Sequence, residues 1–167
     1  MGGFKIKRLR NKKVVVIVQA RMDSVRMPGK VLKEILKKPL LGYLIERLRR
    51  ATLIDDIVIA TTTKRSDDKV VKFCNDNQVN CFRGPEFDVL KRYYMAAKEF
   101  RAENIVRICG DSPLIDPVMV DEMVSEFLNM KISTDYYSNT INQTYPLGMN
   151  TEIFSFSALE SAYKNAN

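Results

Sequence analysis

Short β-branched runs alternate with amphipathic helical segments along almost the whole chain, and this alternation limits the available folds more than any other feature. Val14–Ala20 is an apolar run that reads as a fully buried strand. Pro39 then opens a helix whose Leu40, Leu41, Leu44, Ile45 and Leu48 share one face. Ile57–Ala60 predicts the second strand. Ser66 is placed to cap a helix with Asp67 and Asp68 in its first turn and Val70, Val71 and Phe73 on its buried side. Val79–Phe82 predicts a third strand, followed by a helix from Glu86 to Phe100. Asn104–Cys109 predicts a fourth, followed by a helix from Pro117 to Leu128. Asp135–Ser138 and Thr151–Phe154 read as extended, and Ser157 begins a last helix. Strand and helix in this order predict an α/β fold: a mainly parallel sheet with helices on both faces, hence three layers, α/β/α.

In such a sheet ligands bind beyond the carboxyl ends of the strands. Three loops qualify: Ala20–Lys30, Arg83–Asp88 and Gly110–Asp116. The first reads QARMDSVRMPGK, with Arg21, Arg26, Lys30 and the hydroxyl of Ser24 around a Pro28-Gly29 turn. Guanidinium forks, an ammonium and free backbone amides suit a polyphosphate. Neither GxxxxGK[ST] nor GxGxxG is present. A merely basic surface loop is the plain alternative. In the third loop Gly110-Asp111 puts one carboxylate at a strand end, beside a residue that lets a ligand approach, which suits a hard cation such as magnesium. Asp111 capping its own turn is the alternative there. Asp116 reads as the cap of the Pro117 helix, and Glu86 and Asp88 as complements to a helix N-terminus. Arg83 is placed to approach a ligand at this edge.

Composition narrows the chemistry. The chain of 167 residues contains no His, so no His base, His–Cys dyad or His-ligated metal is available within it. Cys74, Cys81 and Cys109 lack CxxC spacing and read as reduced thiols. Net charge is +7, but residues 1–50 hold fifteen Lys and Arg against three acids, so the first third faces an anion. Lys5, Lys7, Arg8, Arg10, Lys12 and Lys13 predict a basic tail over 1–13 ahead of a single domain over 14–167. The apolar core of Val14–Val18 is too short for a secretory signal, and no run approaches the ~20 residues of a membrane span. A cytoplasmic protein is expected, with neither membrane nor nucleic acid as partner.

QARMDSVRMPGKVL resembles the opening signature of the cytidylyltransferases that make CMP-sugars, close to ARxxSxRxPGKxL. The similarity continues through KKPLLGYLIERLRRA, IDDIVIATT, FRGPEFDVLKRYYMAA, VRICGDSPLIDP and YPLGMNTEIFSFSALESA. The branch it is most similar to is the spore-coat polysaccharide (SpsF-like) and acylneuraminate cytidylyltransferase-like group. The resemblance implies the nucleotide-diphospho-sugar transferase fold, which is GT-A-like and Rossmann-like. It also implies CTP and a sugar acceptor as substrates, magnesium as cofactor, and a homodimer of the kind relatives often form. Carried over by motif, Ala20, Arg21, Ser24, Arg26, Lys30, Arg83 and Gly110 bind substrate, Arg21, Lys30 and Asp111 act in catalysis, and Asp111 holds the metal. Asn139, Tyr145 and Pro146 are placed to border the sugar. Asp23 stands where the signature has a small residue, Cys109 where a glutamine precedes the GD, and Asn150 where an Asp is usual. The chain ends at Asn167, short of the family's usual C-terminal part.

The expected chemistry is attack of a sugar oxygen on the α-phosphate of CTP with pyrophosphate leaving. Competing expectations are a glycosyltransferase on the same fold, a non-catalytic binding or assembly fragment, and nucleic-acid binding through the basic segment. The first would want a DxD pair where only Asp111 stands. The last lacks an RRM, KH or helix-turn-helix signature.

Overall fold

Val14–Gln19 (β1) runs through the middle of the molecule, because every residue of its apolar run finds cover on one face or the other. The structure, a computed structural model, describes residues 12–130, 134–143 and 145–166. Val14, Val16 and Val18 enter one hydrophobic cluster and Val15 and Ile17 a second, as strand alternation requires. On the first face pack Leu40–Leu48 (α1), Asp68–Asp76 (α2) and Pro117–Asn129 (α4). On the second pack Val89–Glu99 (α3) and Phe156–Asn165 (α5). Helices thus cover both faces of one sheet, giving the expected three layers.

The remaining strands are Glu34–Ile35 (β2), Lys38–Pro39 (β3), Asp56–Thr62 (β4), Asn80–Gly84 (β5), Asn104–Cys109 (β6), Tyr136–Ser138 (β7) and Glu152–Ser155 (β8). The six-stranded sheet has the order β5-β4-β1-β6-β8-β7, and β2 and β3 form a separate small hairpin. β5, β4, β1 and β6 are mutually parallel, whereas β8 runs antiparallel to both β6 and β7. Chain order reverses direction across the sheet between β1 and β6. This topological switch point is where the loops after two neighbouring strands part and leave a crevice.

Several local expectations need correction. Ser66 does not cap α2. Arg65–Asp67 forms a 3-10 turn, Asp67 is the residue before the helix, and Cys74 rather than Val71 or Phe73 joins Val70 as fully buried. The helix expected from Glu86 starts at Val89. There the Asp88 carboxylate accepts from Lys91 N–H, while Glu86 pairs with Lys64 at 2.6 Å instead of serving the helix terminus. The last helix starts one residue earlier than expected, capped by the Ser155 hydroxyl, which accepts from Ala158 N–H. Of the expected basic tail, residues 1–11 lie outside the described residues. Lys13 is not tail: its ammonium donates to Phe100 O at 2.8 Å and its backbone N–H to Glu103 at 3.2 Å.

Candidate active site

The loop after β1 folds on one carbonyl. Met22 O accepts from Ser24 N–H at 2.9 Å and from Gly29 N–H at 2.7 Å, closing a tight excursion that carries Arg21, Ser24 and Arg26. Gly29 closes it at φ +72°, in the left-handed region that favours glycine. The base of the loop is held from the side by a buried acid that sequence reasoning missed. Asp67, 1% exposed, accepts from Met22 N–H at 2.7 Å, from Thr62 N–H at 3.3 Å and from the Thr62 hydroxyl. Three donors satisfy a carboxylate that would otherwise be costly to bury.

The flank of the loop is tied to the rest of the sheet edge by charge. Asp23 accepts from Lys64 Nζ at 2.9 Å and lies 3.5 Å from the Ser66 hydroxyl. The same ammonium pairs with Glu86. The hydrogen bond from Lys64 holds the Asp23 carboxyl below its usual range, and Glu86 and Asp23 together raise Lys64. The unusual Asp23 is thus engaged chiefly with Lys64 and only secondarily with the loop cation Arg21.

Strand β6 approaches from the other side of the switch point. Gly110 N–H donates to Gln19 O at 2.9 Å. A Cβ at this glycine would lie 2.8 Å from that carbonyl and 3.0 Å from Ala20 Cβ, so only glycine lets the ends of β1 and β6 stay this close. Ala20 itself is buried beneath the loop. Asp111 follows, exposed at the strand end, and pairs with the ammonium of Lys30. Asp116 does cap α4, accepting from Val118 N–H at 2.9 Å.

These parts enclose a cavity of about 350 Å³. Arg21, Ser24, Arg26, Lys30, Gly110 and Asp111, all singled out in the sequence, line it, and so do Gln19, Val25, Val31, Arg107 and Cys109. Arg107 lies in the VRICGDSPLIDP segment but is assigned no role there. Strand alternation identifies it, since residues 107 and 109 of β6 point to one face. Its guanidinium pairs with Glu152 and sits 5.7 Å from the Tyr93 ring. Burial opposes its charge, but the Glu152 hydrogen bond together with neighbouring groups outweighs this and holds its pKa above the ordinary value. Arg83 is not brought to the cavity. Its three guanidinium nitrogens donate to Thr62 O at 3.0 Å, Lys64 O at 2.8 Å and Asp68 at 2.7 Å, so it braces the turn after β4. Asn139 is likewise engaged, accepting from Thr151 N–H and donating to Met149 O, both at 2.9 Å. Tyr145 packs against the first hydrophobic cluster.

The arrangement suits anionic phosphates: four cations line the cavity against one carboxylate. Its donor set fits a hard divalent cation shared with a phosphate ligand. Asp111 offers one carboxylate, the usual protein contribution for magnesium, and its charge partner Lys30 is a flexible side chain that a cation would displace toward the phosphates. Among the described residues no group of three or more His, Cys, Asp or Glu forms a self-sufficient metal cage. No described helix is long and apolar enough to cross a membrane.

Comparison with known proteins identifies the family. The chain is 44% identical to an uncharacterized protein of Methanocaldococcus jannaschii over 92% of its own length and 61% of that protein's. It is 33% identical to the spore coat polysaccharide biosynthesis protein SpsF of Bacillus subtilis, over 87% of its own length and 60% of that protein's. A 3-deoxy-manno-octulosonate cytidylyltransferase of Geobacter metallireducens is 34% identical over 68% of this chain and 44% of its own. Among solved structures, a cytidylyltransferase of Leptospira borgpetersenii superposes with a TM-score of 0.89 at 36% identity, covering 93% of this chain and 66% of that one. The chain spans about three-fifths of the length of the first two relatives. Residues 15–167 match the cytidylyltransferase family model. With a match over nearly its whole length, on a sheet whose switch point gathers four cations, the chain belongs to the cytidylyltransferase family.

Proposed function

We propose that this chain carries the nucleotide site of an enzyme that transfers CMP from CTP to an acidic sugar, releasing pyrophosphate, for surface polysaccharide synthesis. The observation that carries this reading is the single cavity in which Arg21, Ser24, Arg26 and Lys30 face Asp111 across the switch point. The relatives support the sugar class, since one is a cytidylyltransferase for 3-deoxy-manno-octulosonate and another a spore coat polysaccharide biosynthesis protein.

In this reading an acceptor hydroxyl oxygen forms a bond to the α-phosphorus of CTP. The bond from that phosphorus to the β-phosphate bridging oxygen breaks, its electron pair leaves on pyrophosphate, and the hydroxyl proton passes to solvent. Arg21 and Lys30 hold the β- and γ-phosphates and neutralise the charge that grows on them. The Ser24 hydroxyl orients the oxygens, and Arg26 closes the exposed side. Asp111 would hold magnesium, which would screen phosphate charge and lower the pKa of the attacking hydroxyl. Lys30, paired with Asp111 across the cavity mouth, would be free to reach the phosphates once Asp111 held a metal. The close approach at Gly110 keeps these two sides of the cavity at a fixed separation.

Pyrophosphate release from CTP and magnesium, measured with a panel of sugar acids and neutral sugars, tests the proposal. Acceptor-dependent release with an acid is expected. Release from another nucleotide in preference to CTP, or with neutral sugars alone, would overturn it.

A further inference from the structure

Arg92, on α3, is the largest fully buried side chain among the described residues. Its Nη1 donates to Pro85 O and to Glu86 O, the latter at 3.2 Å. Its Nε and Nη2 have no hydrogen-bond partner. Those two nitrogens share the edge of the guanidinium whose parallel N–H bonds form arginine's bidentate fork. The nearby acids are committed elsewhere: Asp67 to Met22 and Thr62, Asp88 to Lys91 N–H, Glu86 to Lys64. A guanidinium stays charged in a protein. A positive charge therefore lies in the interior with two backbone carbonyls as its hydrogen-bond partners, an arrangement that opposes folding.

The backbone makes room for this side chain. A Cβ on Gly84 would lie 2.9 Å from Arg92 Cγ, so glycine at the end of β5 lets the stem pass. Gly84 is in register with Thr62, and Thr62 holds Asp67, the anchor of Met22. Arg92 thus sits at the end of the sheet that carries the phosphate loop. Burial lowers its pKa, and the like charge of Arg21 adds to that effect.

We propose that Arg92 is a positioning residue for the nucleotide: its buried charge strengthens the hold of the Arg21 loop on the triphosphate and is itself stabilised when that anion arrives. The inference rests on the function proposed above and adds to that site a residue that touches no ligand. Three features favour it. A charge in the low-dielectric interior acts over a longer range than a surface charge and is little screened by salt. The Nη1 bonds also fix the Pro85–Glu86 turn, whose Glu86 carboxylate holds Lys64, which in turn holds Asp23 of the phosphate loop. Finally, an apolar side chain of similar length would serve stability alone at least as well, because replacing a buried charge in this way is often neutral or stabilising. An anion bound nearby offsets what the free protein loses, and the coupling is reciprocal.

Calorimetric titration of the full chain with CTP and magnesium tests the inference, beside saturation-transfer NMR with the uncharged nucleoside cytidine and thermal unfolding with and without CTP. Arg92→Met is expected to bind CTP about fivefold or more weakly, with cytidine binding unchanged. Its unliganded unfolding midpoint is expected to equal or exceed that of the unmodified chain, and CTP to raise that midpoint less. Arg92→Lys, which restores an ammonium, is expected to recover part of the CTP affinity. If Arg92→Met does not fold, Arg92→Gln, which keeps an amide donor for Pro85 O, carries the same comparison. Undiminished CTP affinity in the uncharged variant would make Arg92 a structural brace and overturn the inference, and so would an equal loss for CTP and cytidine. Absence of CTP binding by the unmodified chain would overturn the nucleotide site, and the inference with it.

Discussion

Lys30 and Asp111, 81 residues apart in sequence, form an ion pair across the mouth of the switch-point cavity. One comes from the loop after β1 and the other from the end of β6, so the pair exists only because those strands are neighbours. It is partly exposed on both sides, with the side chains 23% and 37% accessible, and so contributes at most about 1 kcal/mol to folding. Its removal is therefore a test of chemistry more than of stability. Asp111→Asn is expected to abolish pyrophosphate release while the denaturant midpoint shifts only slightly, and Lys30→Ala to weaken CTP binding by about tenfold, roughly 1.4 kcal/mol. Activity assays beside urea unfolding check both.

Asp67 makes the opposite kind of prediction. It touches no ligand in the reading above, yet it fixes Met22 N–H and both donors of Thr62 from a buried position. Asp67→Ala leaves these donors unpaired and is expected to cost about 2–3 kcal/mol of stability. CTP affinity is expected to fall as well, because the loop bearing Arg21 loses its anchor. Asp67→Asn, which keeps the shape and an acceptor oxygen, is expected to recover part of both.

Gly110→Ala tests the closeness of β1 and β6. The added methyl meets the Gln19 carbonyl at 2.8 Å and Ala20 at 3.0 Å, and neither is the far end of a flexible side chain. A loss of about 1–3 kcal/mol is expected from the forced separation, together with weaker nucleotide binding. Unfolding and calorimetry on the same variant measure the two effects.

A pH prediction follows from the Asp23–Lys64–Glu86 bridge. The folded-state pKa of Asp23 is depressed below the ordinary aspartate value, chiefly by the Lys64 hydrogen bond. Its contribution is therefore complete above about pH 4 and disappears as pH falls through the lower folded value. NMR titration of the Asp23 carboxyl is expected to show this depressed pKa, and Lys64→Ala to return it toward normal.

Local signals made much of the fold legible. β6 was readable to the residue as Asn104–Cys109, since its apolar run ends abruptly at a Gly-Asp. The first loop was readable because its cations cluster within ten residues. What could not be read depends on distant partners. Asp67 looked like a helix-start acid, and its real task is set by Met22, 45 residues away. Arg83 looked like a ligand-binding cation, but the chain turn between Thr62 and Asp68 surrounds it with acceptors. Arg107 looked like one charge in a strand until β8 brought Glu152 beside it and α3 brought Tyr93.

The central claim is that the cavity around Arg21, Ser24, Arg26, Lys30 and Asp111 is a CTP site. Calorimetric titration of the chain with CTP, UTP, ATP and GTP in magnesium tests it most directly, because it requires no acceptor and no turnover. Saturable binding that favours CTP and weakens in both Arg21→Ala and Lys30→Ala is expected. Absence of binding by every nucleotide, or binding unaffected by those two substitutions, would contradict it.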